Sequence, residues 1–393
     1  MSVGSQHKRD PGMNGRRTAT SDTKSAGLFI GGKRSESLVA QVAVHTHPQT
    51  EYLYLAENFA VELAGFNDIE TIAAQERGVA ANLLHWKTLR EKLSPYWGYA
   101  LLSLVKSRHW QSLLVTGEDI GLPVALAHSA RRQSLPLGIL THGSYLNSSK
   151  FRIVAKLLRR RTDIRWLCLS ESLSKRMIEQ FQFAPDSVVN VGYGVDTTFF
   201  SPSARIHNEA NQTIIASAGM ARRDYRTLVA ATSSLTENVQ VKIAADSAWF
   251  CSHLDIQGMA LPPHIEVRSF GNYEGLRSLY EQSSFVVVPL YESVHACGYA
   301  VIVEAMAMGK TVITTNIKGR SDYIIEGETG FYVPPGDVEA LRERIVYLIK
   351  HPEVAQQMGI NARKHIEQHF SLEHYSHRIA SALGWALPQY DKI

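Results

Sequence analysis

With 393 residues, 45% of them hydrophobic and 20% charged, the chain is ordinary in composition and too long for a single core, so two domains are expected. A net charge of +4 suits anionic substrates or a lipid surface, but it is too small to argue for nucleic acid, and no zinc-finger or basic-zipper spacing occurs. The scattered cysteines Cys168, Cys251 and Cys297 exclude a disulfide framework and point to a reducing, cytoplasmic compartment, while no apolar run approaches the ~18–20 residues of a membrane span, leaving only peripheral contact with the inner face of a membrane.

Residues 1–25, rich in Ser, Gly, Lys and Arg, read as a disordered leader without the apolar stretch of a signal peptide. A first domain is expected over 26–202. Its short apolar runs predict strands at Val42–His45, Tyr52–Leu55, Ser112–Thr116, Leu137–Thr141, Trp166–Ser170 and Val188–Val191. Helical spacing covers Ile69–Leu84, Trp97–Ser107, Gly121–Arg131, Phe151–Arg161 and Ser172–Gln182. The polar stretch Ser201–Gln212, with Pro202 and no periodicity, reads as a linker.

A second domain over 212–370 is more regular. Predicted strands at Thr213–Ala218, Val239–Ala244, Ile265–Phe270, Phe285–Pro289, Thr311–Thr315 and Gly330–Val333 alternate with helices at Tyr225–Leu235, Tyr273–Gln282, Ala300–Met308, Val338–Ile349 and Pro352–His369. Such alternation implies an α/β fold, a parallel doubly wound sheet that binds ligands beyond the carboxyl ends of its strands. The segment 371–393, with an amphipathic helix over Leu372–Leu387, is expected to pack back on the first domain.

Chemistry concentrates in FVVVPLYESVHACGYAVIVEAMAMGKTVITT, Phe285 to Thr315. A strand ends, a loop follows, and a helix begins near Gly298 or Tyr299. Unpaired N–H groups and partial positive charge at such a start suit a diphosphate, and Gly298 permits close approach. Glu304 stands alone among Val301, Ile302, Val303, Ala305 and Met306, so it needs a partner; it is either a solvated helix-face acid or an acceptor for ribose hydroxyls. In SAGMARRDYRTL, Ser217 to Leu228, Gly219 makes a turn, and Arg222 and Arg223 open the next helix. They either neutralise a diphosphate or cap a loop. In the first half, His142 and Gly143 of LTHGSY end a strand. Glu118 and Asp119 follow another and are placed to face an acceptor, with helix capping as the alternative for Asp119. Ser170 and Glu171 carry the same two readings.

Several runs carry a resemblance. EAMAMGKTVI (Glu304–Ile313), GRSDYIIEGETGFYVPPGDVEAL (Gly319–Leu341), GVDTTFFSP (Gly194–Pro202) and LRSLYEQSSFVVVPL (Leu276–Leu290) are similar to the retaining glycosyltransferases of family 4, group 1 glycosyltransferases of the GT-B fold. The likeness covers roughly residues 110–385. It implies two Rossmann-like domains facing a cleft, with the donor nucleotide on the second and the acceptor on the first. It also implies a metal-independent, hexosyltransferase-like reaction in surface polysaccharide or glycoconjugate synthesis. No further cofactor is needed: a nucleotide-diphosphate sugar is the co-substrate, and the acceptor is a glycan, a lipid-linked glycan or a small molecule. Glu304 matches the acid that holds the donor ribose. Gly298, Tyr299 and Ala300 match backbone contacts to phosphate and sugar, and His142 matches a donor-sugar contact.

Two departures stand out. The first acid of the pair, separated from Glu304 by seven residues, should fall at position 296 and is replaced there by Ala296, with Glu292 as the candidate substitute. Met220 replaces an expected Arg, leaving that duty to Arg222 and Arg223. These departures motivate an alternative, a catalytically impaired nucleotide-sugar-binding or regulatory subunit. An epimerase or phosphorylase on the same fold matches the motifs less well.

Other patterns lead elsewhere. GLFIGGKRS (Gly27–Ser35) lacks the hydroxyl after Lys33 that a P-loop requires, and no strand is expected before it. His45 and His47 lack a third metal ligand, no Asp-x-Asp occurs, and no metal site is expected. Gly192-Tyr193-Gly194 is an incomplete dinucleotide fingerprint. The basic stretch FRIVAKLLRRR (Phe151–Arg161) reads as a core-facing helix with a wet basic face, or as one that lies on anionic lipid.

Overall fold

A computed structural model describes residues 27–30, 48–49, 54–55, 58–59, 61–64, 100, 104, 111–129, 135–203, 212–235, 238–245, 254–269 and 271–385. They form two six-stranded parallel sheets. The first contains β1 (Gly27–Ile30), β2 (Val61–Ala64), β3 (Leu113–Thr116), β4 (Leu137–Thr141), β5 (Ile164–Cys168) and β6 (Val188–Asn190), in the order β2-β1-β3-β4-β5-β6. Helices α1 (Glu118–Ser129), α2 (Ser149–Leu158) and α3 (Glu171–Glu179) connect its later strands.

The second sheet contains β7 (Thr213–Ala218), β8 (Val239–Ala244), β9 (Ile265–Arg268), β10 (Phe285–Val288), β11 (Val312–Thr315) and β12 (Gly330–Val333), in the order β12-β11-β10-β7-β8-β9. Its helices are α4 (Tyr225–Thr232), α5 (Tyr273–Gln282), α6 (Tyr299–Ala307), α7 (Val338–Lys350) and α8 (Pro352–His369), followed by α9 (Leu372–Leu383). This order reverses between β7 and β10. In the first sheet it reverses between β1 and β3. Such switch points leave a crevice at the carboxyl ends of the strands.

Continuous apolar runs account for the inner strands: every residue of β4, β10 and β11 is buried, as parallel strands covered on both faces require. Caps account for the helix starts. Ser148, Ser170, Asp224, Asn272, Asp337 and Ser371 each accept the backbone N–H of the third residue of the following helix, and Pro352 opens α8. One apolar cluster runs from Leu114, Leu140 and Leu167 of the first sheet through Val195 and Phe200 to Ala216, Val286 and α6 of the second.

The linking strand is tied down at several points. The Arg363 guanidinium donates to the carbonyls of Thr197, Phe200 and Ala307, and Val195 exchanges backbone bonds with Phe370 and Leu372. Helix α9 returns to the first sheet, where Leu383 packs on Gly138 and the Trp385 indole N–H reaches Ser112 Oγ. It stops at Leu383, earlier than the expected Leu387, because Gly384 adopts a left-handed conformation with φ of 70°.

The opening of the chain departs from expectation. Residues 54–55 are helical, not part of a strand over Tyr52–Leu55. The leader over 1–25, the strand at Val42–His45, the helix over Ile69–Leu84 and the histidine pair at 45 and 47 lie outside the described residues. Within Trp97–Ser107, residues 100 and 104 are described, and both are helical. Strands β1 and β2 went unread, being four residues each without alternation. The first four residues of GLFIGGKRS form β1, a strand the sequence did not suggest, with Leu28 in register with Leu113; the residues before Gly27, where a P-loop's strand would stand, lie outside the described ones. Arg34 still lacks the hydroxyl that a P-loop requires.

Helix α6 is positioned by close backbone approach. A Cβ on Gly359 of α8 would lie 2.1 Å from the carbonyl oxygen of Gly309, just past the end of α6. Gly359→Ala should therefore force the two helices apart and cost about 1–3 kcal/mol, read as a lowered urea midpoint at unchanged m-value.

Candidate functional site

The crevice of the second sheet lies between the loops that leave β7 and β10. Gly219 ends β7 with φ of 91°, and a side chain there would collide with Arg223, whose Nη2 is 2.6 Å from an ideal Cβ. Arg223 is buried: Nε donates to Ala218 O at 2.7 Å and Nη1 to Ala221 O at 2.9 Å. The loop is laced to its neighbour by Asp224 N to Pro289 O and Tyr291 N to Arg222 O. These contacts correct the expectation that the two arginines open a helix. Asp224 is the N-cap and α4 starts at Tyr225. Arg222 holds a left-handed φ of 58°, with its side chain exposed.

Across the crevice α6 begins at Gly298, which has φ of 78° and supplies no side-chain cap, so the first N–H groups of the helix depend on other partners. The helix is buried at Tyr299 and from Val301 through Ala307, Glu304 included. Glu304 Oε2 accepts the Tyr280 hydroxyl of α5 at 3.0 Å, and Oε1 accepts no hydrogen bond from any described residue. Burial raises the Glu304 carboxyl from 4.5 to about 7, opposed by the Tyr280 hydrogen bond and the positive charge of Arg223. Glu304, Tyr280 and Arg223 thus converge at the switch point. Tyr280 was quoted in a motif but not singled out. Its signal was a buried phenol needing a partner for its hydroxyl.

The first sheet supplies the facing wall. Gly117, with φ of 82°, leads into α1, and Glu118 is fully enclosed at the start of that helix. Its Oε1 accepts Gly143 N at 2.5 Å, and the amide groups of His142 and of Glu118 itself also face the carboxylate. Burial nonetheless raises this acid to about 7. Glu118 therefore holds the His142–Gly143 turn and is not open to an acceptor, because three amides compete for its oxygens. Asp119 is half-buried and accepts Ile120 N. The His142 ring lies against Gly117, and its enclosure lowers its pKa to about 4, keeping the imidazole neutral.

The two walls meet along a seam. Ala296 N donates to His142 O at 3.1 Å, and His295 Nδ1 lies 2.7 Å from Gly143 O. Arg176 Nη1 donates to Val294 O. The Tyr299 hydroxyl is 2.8–3.0 Å from Ser170 Oγ and the carbonyls of Gly319 and Arg320. Ser170 also caps α3, and the exposed Glu171 pairs with Lys175 on the same helix. Glu292 is exposed and spends Oε1 on Lys318 N at 3.0 Å, which corrects its expected inward turn as a substitute for the acid missing at Ala296. The sequence reading missed His295, whose only local signal was an imidazole in a polar loop. Among the described residues no three His, Cys, Asp or Glu side chains gather as a metal site, and no helix is long and apolar enough to cross a membrane.

Residues 200–365 match the family model described as glycosyl transferases group 1. The capsular polysaccharide biosynthesis glycosyltransferase CapM of Staphylococcus aureus is 39% identical over 95 residues, 24% of each chain, so the matched stretch spans about a quarter of that relative. A glycosyltransferase from Rickettsia africae superposes with a TM-score of 0.67 at 18% identity, covering 92% of this chain and 98% of its own. HepE of Anabaena, in complex with UDP and glucose, superposes with a TM-score of 0.64 at 16% identity over 92% and 99% of the two chains. The chain has the GT-B fold, with two Rossmann-like sheets.

The raised Glu304 pKa has a signed consequence. The fold binds this proton more tightly than the unfolded chain does, so its stabilising share is complete below about 4.5 and is lost as the pH climbs to about 7. Glu304→Gln keeps an acceptor for Tyr280. Across that window its unfolding free energy should gain on the wild type by up to about 3 kcal/mol, measured by urea titrations at each pH. Tyr280→Phe should lift the carboxyl further.

Proposed function

We propose that the chain is a retaining, metal-independent glycosyltransferase of family 4. It would move a hexosyl group from a nucleotide-diphosphate sugar to a glycan, a lipid-linked glycan or a small-molecule acceptor. One observation carries the reading: Glu304, buried in α6 at the switch point of the second sheet, keeps one carboxylate oxygen without a donor among the described residues. A ribose diol is a natural occupant, because it donates two hydroxyls to an ionised acid. The match to group 1 glycosyl transferases over 200–365, which spans this region, supports the same assignment.

In this reading the diphosphate lies on the amide groups of Tyr299 and Ala300 beyond Gly298. The exposed Arg222 and the field of Arg223 add positive charge. The acceptor hydroxyl oxygen bonds to the anomeric carbon from the leaving-group face as the bond to the phosphate oxygen breaks. The diphosphate departs with the electron pair and takes the acceptor's proton. The turn of His142 and Gly143, set by Glu118, forms the opposite wall, and closure of the two walls excludes water from the oxocarbenium-like state. Surface polysaccharide or glycoconjugate synthesis is the proposed setting, as in the named role of CapM.

The test is donor binding. UDP-, GDP- and ADP-sugars are screened by calorimetry and for slow donor hydrolysis. One of them should bind, and Glu304→Ala should weaken it about 10–100-fold without lowering the unfolding midpoint enough to depopulate the fold. Since the acid must be ionised to accept both hydroxyls, wild-type affinity should fall as the pH drops below about 7. An affinity that Glu304→Ala leaves unchanged would refute the site.

A further inference from the structure

Helix α2 carries a feature that transfer chemistry does not use. Its core-facing residues are Phe151, Ala155 and Leu158, all buried. On the opposite side Ile153 and Leu157, one turn apart, are 64% and 67% exposed. They are the two most exposed of the large hydrophobic residues described. Lys150, Arg152, Lys156 and Arg160, all exposed, flank this pair. None of the four side chains forms a salt bridge or a hydrogen bond with a described residue. The stretch 149–162 contains no acid, and the next one, Asp163, is bound by Arg161 at 2.6 Å. On the neighbouring α3, Arg176 lies within the electrostatic reach of Arg152 and extends the same sign.

We propose that α2 docks the protein on an anionic bilayer, with Ile153 and Leu157 entering the acyl boundary and the cations meeting lipid phosphates. The combination selects the partner. A polyanion such as a nucleic acid would pair with the cations but gain nothing from two protruding aliphatic chains. A lipid interface rewards both. A second copy of the chain is disfavoured, since a two-fold contact through this face would set cation against cation. The helix begins six residues after Gly143, at the carboxyl end of β4, so docking would bring the edge of the interdomain cleft near the membrane surface. Binding requires no donor, and this proposal therefore stands or falls apart from the transferase reading.

The experiment is co-flotation of the full chain with vesicles of phosphatidylcholine, with and without phosphatidylglycerol. Binding is expected only with the anionic lipid and should weaken as salt rises. Ile153→Ser with Leu157→Ser should lower the partition coefficient about tenfold. Lys150→Gln, Lys156→Gln and Arg160→Gln together should lower it about a hundredfold. All five side chains are exposed, so thermal midpoints should stay at the wild-type value, which excludes misfolding as the cause. Three results would each overturn the proposal. They are failure to float with anionic vesicles, equal flotation with neutral ones, and wild-type binding by the double serine variant. A wild-type dimer that the serine pair converts to monomer would overturn it in favour of self-association.

Discussion

Everything at the second sheet's crevice is arranged around one carboxylate enclosed by apolar helix. Glu304 belongs to a segment in which the seven residues from Val301 through Ala307 are all buried. Burying an ionised acid is costly unless it is hydrogen-bonded or neutralised. Tyr280 from α5 supplies the hydrogen bond and Arg223 supplies the charge. Arg223 in turn is fixed by the carbonyls of Ala218 and Ala221, and that fold-back is sterically available only because residue 219 has no side chain. The loop after β7, the helix before β10 and the helix after it are therefore interdependent.

The facing wall follows a different logic. The peptide at His142–Gly143 is gripped from both sides: its amides face Glu118 of the first sheet, while its carbonyls meet Ala296 N and His295 of the second. A single turn is thereby coupled to the start of α1 and to the loop before α6. Movement of one wall against the other must break these bonds, and those of Arg176 and Tyr299, together.

Much of this was legible in the chain. Strands β4, β7, β8 and β12 and helices α5 and α8 match their expected spans, because buried parallel strands read as unbroken apolar runs and capped helices carry their punctuation. The start of α6 at Gly298 and the burial of Glu304 were legible for the same reason: a lone acid in an apolar helix violates the pattern around it. What was not legible depends on side-chain direction. No local rule says that Arg223 folds back on its own loop, that Glu292 turns to Lys318, or that Glu118 faces amides 24 and 25 residues away along the chain. Strands β1 and β2 escaped because four-residue edges of a pattern give periodicity little to work on.

The two buried acids differ in what explains them. Both are raised to about 7 by burial, and both stand beside the switch point of their sheet. At position 118 the fold itself asks for a carboxylate. Three backbone amides point at it, and a glutamine would bury an NH2 among donors. At position 304 it does not. One phenol donates to one oxygen, a duty that the carbonyl of a glutamine performs without the cost of burying charge, and the second oxygen has no partner among the described residues. A charge that packing does not require, in a crevice where the strand order reverses, supports the proposed donor site, whose ligand would supply the missing hydrogen bonds. The loss of the acid at Ala296 does not weaken this inference, since the element that residue contributes to the seam is its backbone N–H, which the substitution leaves in place.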